Sequence, residues 1–359
     1  MKRIIFCFDG TWQNLSQRFT TNVALTAGAV LTEDAHGIGQ LVYYDEGIGN
    51  ARGVWPALSS KLGGAFGTGL EDDIREAYRF LCLNYRTGDE IFVFGFSRGA
   101  FTARSFCGLL QHCGLLKRDA LSYEDFMIME YRSRSTNILE FKNIKKSNCF
   151  NYGMSPKIKY LGVWDTVCAL GLPEAFKLSK RYNVKYKFHD INLTDNIQTA
   201  RHAVSIDEIR NMFPVELWEQ NEIEKRNSQN QLELSPAFEQ LWFAGDHGNV
   251  GGGTNNPGLS NISLEWILEA ASKLCLGFNS TKIANIRRQR EPEGLFDTKE
   301  ITYKRGALSG MPYSLGGFSY RYGIRNTCDL HHTVVSRYEG KTEYQPKNLL
   351  GVLNGGNTK

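Results

Sequence analysis

Ile91-Phe92-Val93-Phe94-Gly95-Phe96-Ser97-Arg98-Gly99-Ala100 decides how this chain is read. A short apolar run ends in Gly-x-Ser-x-Gly, and a helix-competent run from Phe101 to Leu110 follows without a gap. This is the strand, sharp turn and helix of a nucleophile elbow, which lifts a serine hydroxyl above the carboxyl edge of a parallel sheet. The glycines have a steric purpose. Side chains two residues either side of the serine would collide as the strand folds back into the helix, so both positions must be small. A helix starting behind Ser97 also turns its N–H groups toward developing negative charge.

Upstream, Leu70, Ile74, Ala77 and Leu81 recur at helical spacing, and the spacing predicts a helix over 70–81. Helix, turn (Arg86-Thr87-Gly88-Asp89), buried strand, elbow and helix follow the βαβ grammar of an α/β sheet. The 359 residues contain no Pro/Ser-rich linker and no repeat. The expected architecture is therefore one α/β-hydrolase-like domain over 1–359, with a mostly parallel sheet flanked by helices and insertions near 118–157, 170–238 and 280–325.

Composition narrows the function. The net charge of +4 is too small to imply nucleic acid, and no nucleic-acid motif is present. The eight cysteines are scattered without metal-ligand spacing, which reads as free thiols in a reducing compartment. Lys2-Arg3 precedes only five apolar residues before Asp9, too few for a signal peptide. The expectation is a chain made in the cytoplasm, with any export proceeding without a cleavable signal.

A serine hydrolase needs a base, an acid that orients it, and oxyanion donors; it needs no cofactor and no metal. The buried run Ile158–Trp164 ends in Asp165, whose place at a strand tip suits the acid. Gln240–Gly245 leads into Asp246-His247-Gly248-Asn249, which makes His247 the leading base. His202 is its rival, and with Ile206 and Ile209 it reads as one face of a helix. His331-His332 ranks third. A zinc site at Asp246-His247 is disfavoured because no His-x-x-x-His spacing occurs. The first strand, Arg3–Phe8, ends in Asp9-Gly10-Thr11, so Gly10 or Thr11 is expected to supply one oxyanion N–H and Arg98 the other. Haloacid-dehalogenase-type phosphatases also open with a strand and Asp-x-Asp-Gly-Thr. Here Cys7 occupies the position of their nucleophilic aspartate, which removes the phosphoryl acceptor. Gly64-Ala65-Phe66-Gly67-Thr68-Gly69 lacks the Lys-Ser/Thr of a P-loop and reads as a helix cap or loop.

Several motifs now fall into a known order. They are Cys7–Asn14, Tyr44–Gly49, Gly95–Arg104, Gly162–Val167, Arg201-His202-Ala203 with Asp207–Arg210, and Trp242–Gly253. Together they resemble the α/β-hydrolase family that includes the catalytic domains of type VI secretion phospholipase effectors. The resemblance implies a serine lipase acting on glycerophospholipid esters, with Ser97 as nucleophile and Asp165 as acid. Both His202 and His247 sit in recurrent family motifs. The family commonly reads His-Ser-Asp-Val-Gly-Gly, whereas Gly248 and Asn249 stand here in place of the serine and aspartate. Implied partners are a phospholipid or other acyl ester, and a delivery or immunity protein. Phe176–Phe188 interleaves five basic residues with four aromatics, a composition suited to peripheral membrane contact or to a solvated loop. Two alternatives remain: an esterase or acyltransferase on a small soluble ester, and a non-catalytic binding protein on a hydrolase scaffold.

Overall fold

The computed structural model describes residues 1–10, 19–47, 62–133 (62–68 as backbone only), 156–167, 190–211, 213–229, 234–294, 317–340 and 343–353. Six strands form one parallel sheet: β1 (Arg3–Phe8), β2 (Gln40–Asp45), β3 (Glu90–Phe96), β4 (Ile158–Trp164), β5 (Ala200–Ser205) and β6 (Phe238–Phe243). Their spatial order is β2-β1-β3-β4-β5-β6. The chain steps outward from β1 to β2, then crosses back to lay β3 on the other flank of β1. That reversal opens a crevice at the carboxyl ends of β1 and β3, where α/β sheets bind their ligands.

The strands are apolar on both faces because helices cover both sides, as parallel sheets require. Ile4, Phe6, Phe8, Ile91 and Val93 pack with the helices α2 (Leu62–Asn84), α3 (Arg98–Cys113) and α4 (Glu124–Ser133). Ile5, Cys7, Phe92, Phe94 and Trp164 point the other way, into a core shared with α1 (Asn22–Ala29), α6 (His247–Gly251) and α7 (Ser260–Lys273); α5 (Gln220–Gln229) belongs to the first layer. Each fully buried side chain of this size contributes about 1.5–3 kcal/mol. A third cluster joins Val204, Ile206 and Trp242 to Leu330, Val334, Tyr344 and Leu349, so the C-terminal segment seals the β5–β6 end of the sheet.

The predicted helical stripe is real: Leu70, Ile74, Ala77 and Leu81 are all buried on α2. Two expectations need correcting. Gly64–Gly69 is neither cap nor loop but lies inside α2. The segment around His202 is a strand, β5, inserted between β4 and β6 within the 170–238 stretch read as an insertion. Helical spacing of three apolar positions was misleading there; every residue of β5 is buried, which erases the alternation that would have betrayed a strand.

The elbow is as tight as its glycines suggest. A methyl group on Gly99 would lie 2.2 Å from the Phe8 carbonyl oxygen and 2.4 Å from that of Asp9. One on Gly95 would lie 2.6 Å from the Gly99 oxygen. Gly99→Ala is therefore expected to cost about 1–3 kcal/mol in chemical denaturation, because backbone rather than a flexible side chain must yield. Gly39→Ala, whose added carbon meets nothing within 4 Å, is the matched control. Equal midpoints for the two variants would refute the contact.

Candidate active site

Ser97 sits between β3 and α3 with φ 58° and ψ −125°, a conformation costly for a residue with a side chain. The surroundings hold it there. Its N–H donates to the Trp164 carbonyl on β4 (3.0 Å), and its carbonyl accepts from Ala100 (3.1 Å) in the first turn of α3. The side chain is buried but for a small exposed fraction, and it faces the carboxyl edge of the sheet.

Asp165 follows β4 at φ 40°, also in the left-handed region, and is wholly buried. Its Oδ1 accepts from the Ser205 N–H (2.9 Å) and Arg321 Nη1 (2.6 Å). Its Oδ2 accepts from Arg321 Nη2 (3.0 Å) and His247 Nδ1 (2.5 Å). Burial alone would raise this carboxyl, but the Arg321 charge and the His247 hydrogen bond outweigh it and hold the group well below the usual carboxylate range. It is an ionised acceptor.

His247 opens α6, capped by Asp246, whose carboxylate accepts from the Asn249 N–H (2.8 Å). Its Nδ1 faces Asp165, which can only accept, so Nδ1 carries the proton and Nε2 is left as acceptor for the Ser97 hydroxyl at 2.8 Å. Phe96 and Phe213 flank the ring at centroid distances of 4.7 and 5.0 Å. The backbone N–H of His247 donates to Glu208 (3.3 Å), which is in turn ion-paired with Arg210. Gly248 and Asn249, where the chain departs from the family pattern, leave this geometry intact. The Asn249 amide donates to the capping Asp246 at 2.9 Å instead of adding a second carboxylate.

The structure thus brings Ser97, Asp165 and His247 together, and it separates the rival candidates His202 and His331 from them. His202 lies on β5 beneath the acid, not on a helix. Its Nε2 accepts the Thr166 N–H (3.2 Å), and its Nδ1 therefore donates to Gln240 Oε1 (2.9 Å). Burial, reinforced by Arg104, lowers its pKa to about 3, so it is a neutral prop under the Asp165-Thr166 turn. His331 stacks on Phe243 at 4.6 Å and bonds Thr333. Strand count also changes: His247 follows β6, two strands beyond Asp165 rather than one.

The oxyanion donors divide. The Gly10 N–H is engaged by the Asp9 carboxylate at 2.7 Å, which takes Gly10 out of that role as the loop stands. Thr11 and the basic-aromatic segment 176–188 lie outside the described residues. Arg98 begins α3 directly behind Ser97, as expected. Asp9 itself accepts from Thr21 and Tyr44 hydroxyls, both at 2.6 Å, and burial raises its pKa to about 6. Among the described residues no cluster of His, Cys, Asp or Glu could hold a metal, and no helix is long and apolar enough to cross a membrane. Arg321, Glu208, Arg210 and Phe213 are the site neighbours that sequence reasoning missed. Asp207–Arg210 stood in a recurrent motif without a role, and nothing in the pattern around Arg321 marked it.

Comparison with known proteins adds a family. The profile described as "T6SS, Phospholipase effector Tle1-like, catalytic domain" matches residues 2–270. The uncharacterized protein YEL023C of Saccharomyces cerevisiae is 30% identical over 236 residues, 59% of this chain and 32% of that protein. A crystal structure of an uncharacterized protein from Pseudomonas aeruginosa aligns with TM-score 0.46 at 16% identity, covering 83% of this chain and 52% of that one. The Tle1 effector bound to the VgrG spike of the type 6 secretion system aligns with TM-score 0.42 at 16% identity, over 72% of this chain and 52% of its own. The chain spans about half of those two structures and a third of the yeast protein.

The neutral His202 has a consequence for stability. Unfolded, an ordinary imidazole takes up a proton below about 6.5, whereas the folded one resists to about 3. The unfolded chain binds more protons across that window, so stability falls with pH from about 6.5 to about 3, at up to about 1.4 kcal/mol per pH unit. His202→Gln is expected to flatten this fall in denaturation curves taken across the window. An unchanged slope would mean that the imidazole titrates alike in both states.

Proposed function

As the chain belongs to the Tle1-like family of type VI secretion phospholipase effector catalytic domains, we propose that it is a serine phospholipase that cleaves an acyl ester of glycerophospholipids. The observation that carries this reading is His247, which bridges the Ser97 hydroxyl (2.8 Å) and the Asp165 carboxylate (2.5 Å) with its two ring nitrogens. An arrangement of this kind turns an ordinary hydroxyl into a nucleophile near neutral pH.

In the proposed mechanism His247 Nε2 takes the Ser97 proton as Oγ attacks the ester carbonyl. Asp165 remains a carboxylate and stabilises the imidazolium. The carbonyl oxygen becomes an oxyanion opposite the first turn of α3, where the Arg98 N–H and the helix dipole favour negative charge. Collapse expels the lysophospholipid alkoxide, which collects the proton from His247. Water, activated by the same imidazole, then releases the fatty acid and restores Ser97. Membership of an effector family also supports a delivery protein and an immunity protein as partners, and the lipid substrate supports contact with a membrane surface.

Mass spectrometry of a phospholipid mixture incubated with the protein tests enzyme status and substrate together. Lysophospholipid and fatty acid should accumulate, and Ser97→Ala should cut their rate by roughly 10³-fold or more. His247→Ala should match that loss, and the double variant should add almost nothing, because members of a triad act as a unit. His202→Gln should retain most of the activity of the wild type. Turnover of soluble short-chain esters with none of phospholipid would replace the lipase by an esterase. A dead His202→Gln beside an active His247→Ala would overturn the assignment of the base.

A further inference from the structure

Arg321 lies beyond the 2–270 region that the family profile covers, yet its guanidinium meets the carboxylate at the centre of the site. It is nearly as buried as its partner, and its fork spans both carboxylate oxygens at 2.6 and 3.0 Å. The same two nitrogens donate to the Ser205 carbonyl (3.2 Å) and the Phe213 carbonyl (2.8 Å), and the Arg321 carbonyl accepts from Asn348 at 3.4 Å. Geometry of this kind fixes the plane of the carboxylate. The second consequence is electrical. Asp165 Oδ2 serves Arg321 and His247 at once, so part of its charge is spent on a permanent cation before the imidazole receives it.

We propose that Arg321 is a positioning residue of the catalytic apparatus: it orients Asp165 toward His247 and offsets the charge of that carboxylate, so that its loss moves the acid limb of Ser97 reactivity to higher pH. The proposal rests on the triad reading above. The other ionisable groups facing the pair are Glu208 with its partner Arg210, the capping Asp246, and His202 beneath the acid. Arg104 faces His202 as well, and the Arg321 charge acts on Glu208 and His202 too, so the comparison of charged and uncharged residues at 321 reads its total effect on the pair. Removing a positive charge beside an Asp–His pair strengthens the hold of the pair on a proton. The acid limb of reactivity must therefore move to higher pH, by about one unit or more for charges at this range in a mostly buried site.

The test is the rate at which a fluorophosphonate labels Ser97 between pH 5 and 9, on the full chain. This reading needs no knowledge of the lipid. Arg321→Gln keeps donors without charge, Arg321→Lys keeps charge without the fork, and Arg321→Met removes both. Near-ultraviolet circular dichroism verifies the fold of each; should Arg321→Met not fold, the Gln and Lys variants carry the same comparison. The expected result is an acid limb displaced upward by about one pH unit in Gln and Met, but held near the wild-type position in Lys, with a lower plateau in all three. At pH 6 the uncharged variants should label on the order of 10-fold more slowly than the Lys variant. A limb that is unmoved in Gln and Met, or moved equally in Lys, overturns the proposal. Asp165→Asn separates the two readings. Fast labelling of that variant removes the triad reading and this inference together, whereas slow labelling beside an unmoved Arg321→Gln limb removes this inference alone.

Discussion

A carboxylate with no access to water is the constraint around which this molecule is arranged. Taking a charged group out of water is expensive by several kcal/mol, and the cost is met only if every lone pair finds a donor. Asp165 finds four, from three separate parts of the chain: the Ser205 N–H at the end of β5, the His247 ring at the start of α6, and the two Arg321 nitrogens. Those partners lie 40, 82 and 156 residues away in sequence. The ion pair therefore ties β4, β5, β6 and the C-terminal segment into one body, and the demand of one buried charge coincides with the geometry proposed to activate Ser97.

Around this centre lie other buried carboxyls whose fates differ for physical reasons. Among the described residues, Asp9 and Asp207 accept hydrogen bonds only from neutral donors, and burial raises both to about 6. Glu208, with Arg210 against it, is instead lowered despite its burial. A permanent cation is what separates the ionised acids from those near half-protonation at mildly acid pH. Asp9 also shows how a loop can be set by such a group: its carboxylate gathers Gly10, Thr21 and Tyr44, and so braces the turn beside the elbow.

Much of this was legible in the sequence because it rests on local rules. The strand–elbow–helix unit announces itself through Gly95, Ser97 and Gly99, and both glycines are sterically compelled. Asp165 and His247 were found as polar residues at the ends of apolar runs, which is where parallel strands deliver side chains to a site. β5 was missed because a strand buried on both faces carries no alternation, and because His202, Ile206 and Ile209 fall at helical spacing. Arg321 was invisible for a deeper reason. Its role depends on a partner far away in the chain, and no local pattern encodes a long-range ion pair.

The spread of the candidate site along the chain bears on when its geometry is complete. Ser97 and His247 stand 150 residues apart, and Arg321 joins Asp165 across 156, so no fragment that folds early contains the whole apparatus. Parallel sheets of this kind form late, because distant strands must close long loops before any pairing rewards them. The strained backbone of Ser97 is likewise held only by β1, β4 and α3 packed together. Competence is thus a property of the finished fold. On the proposed mechanism, a nascent or partly unfolded chain holds every reactive side chain but not the geometry that links them.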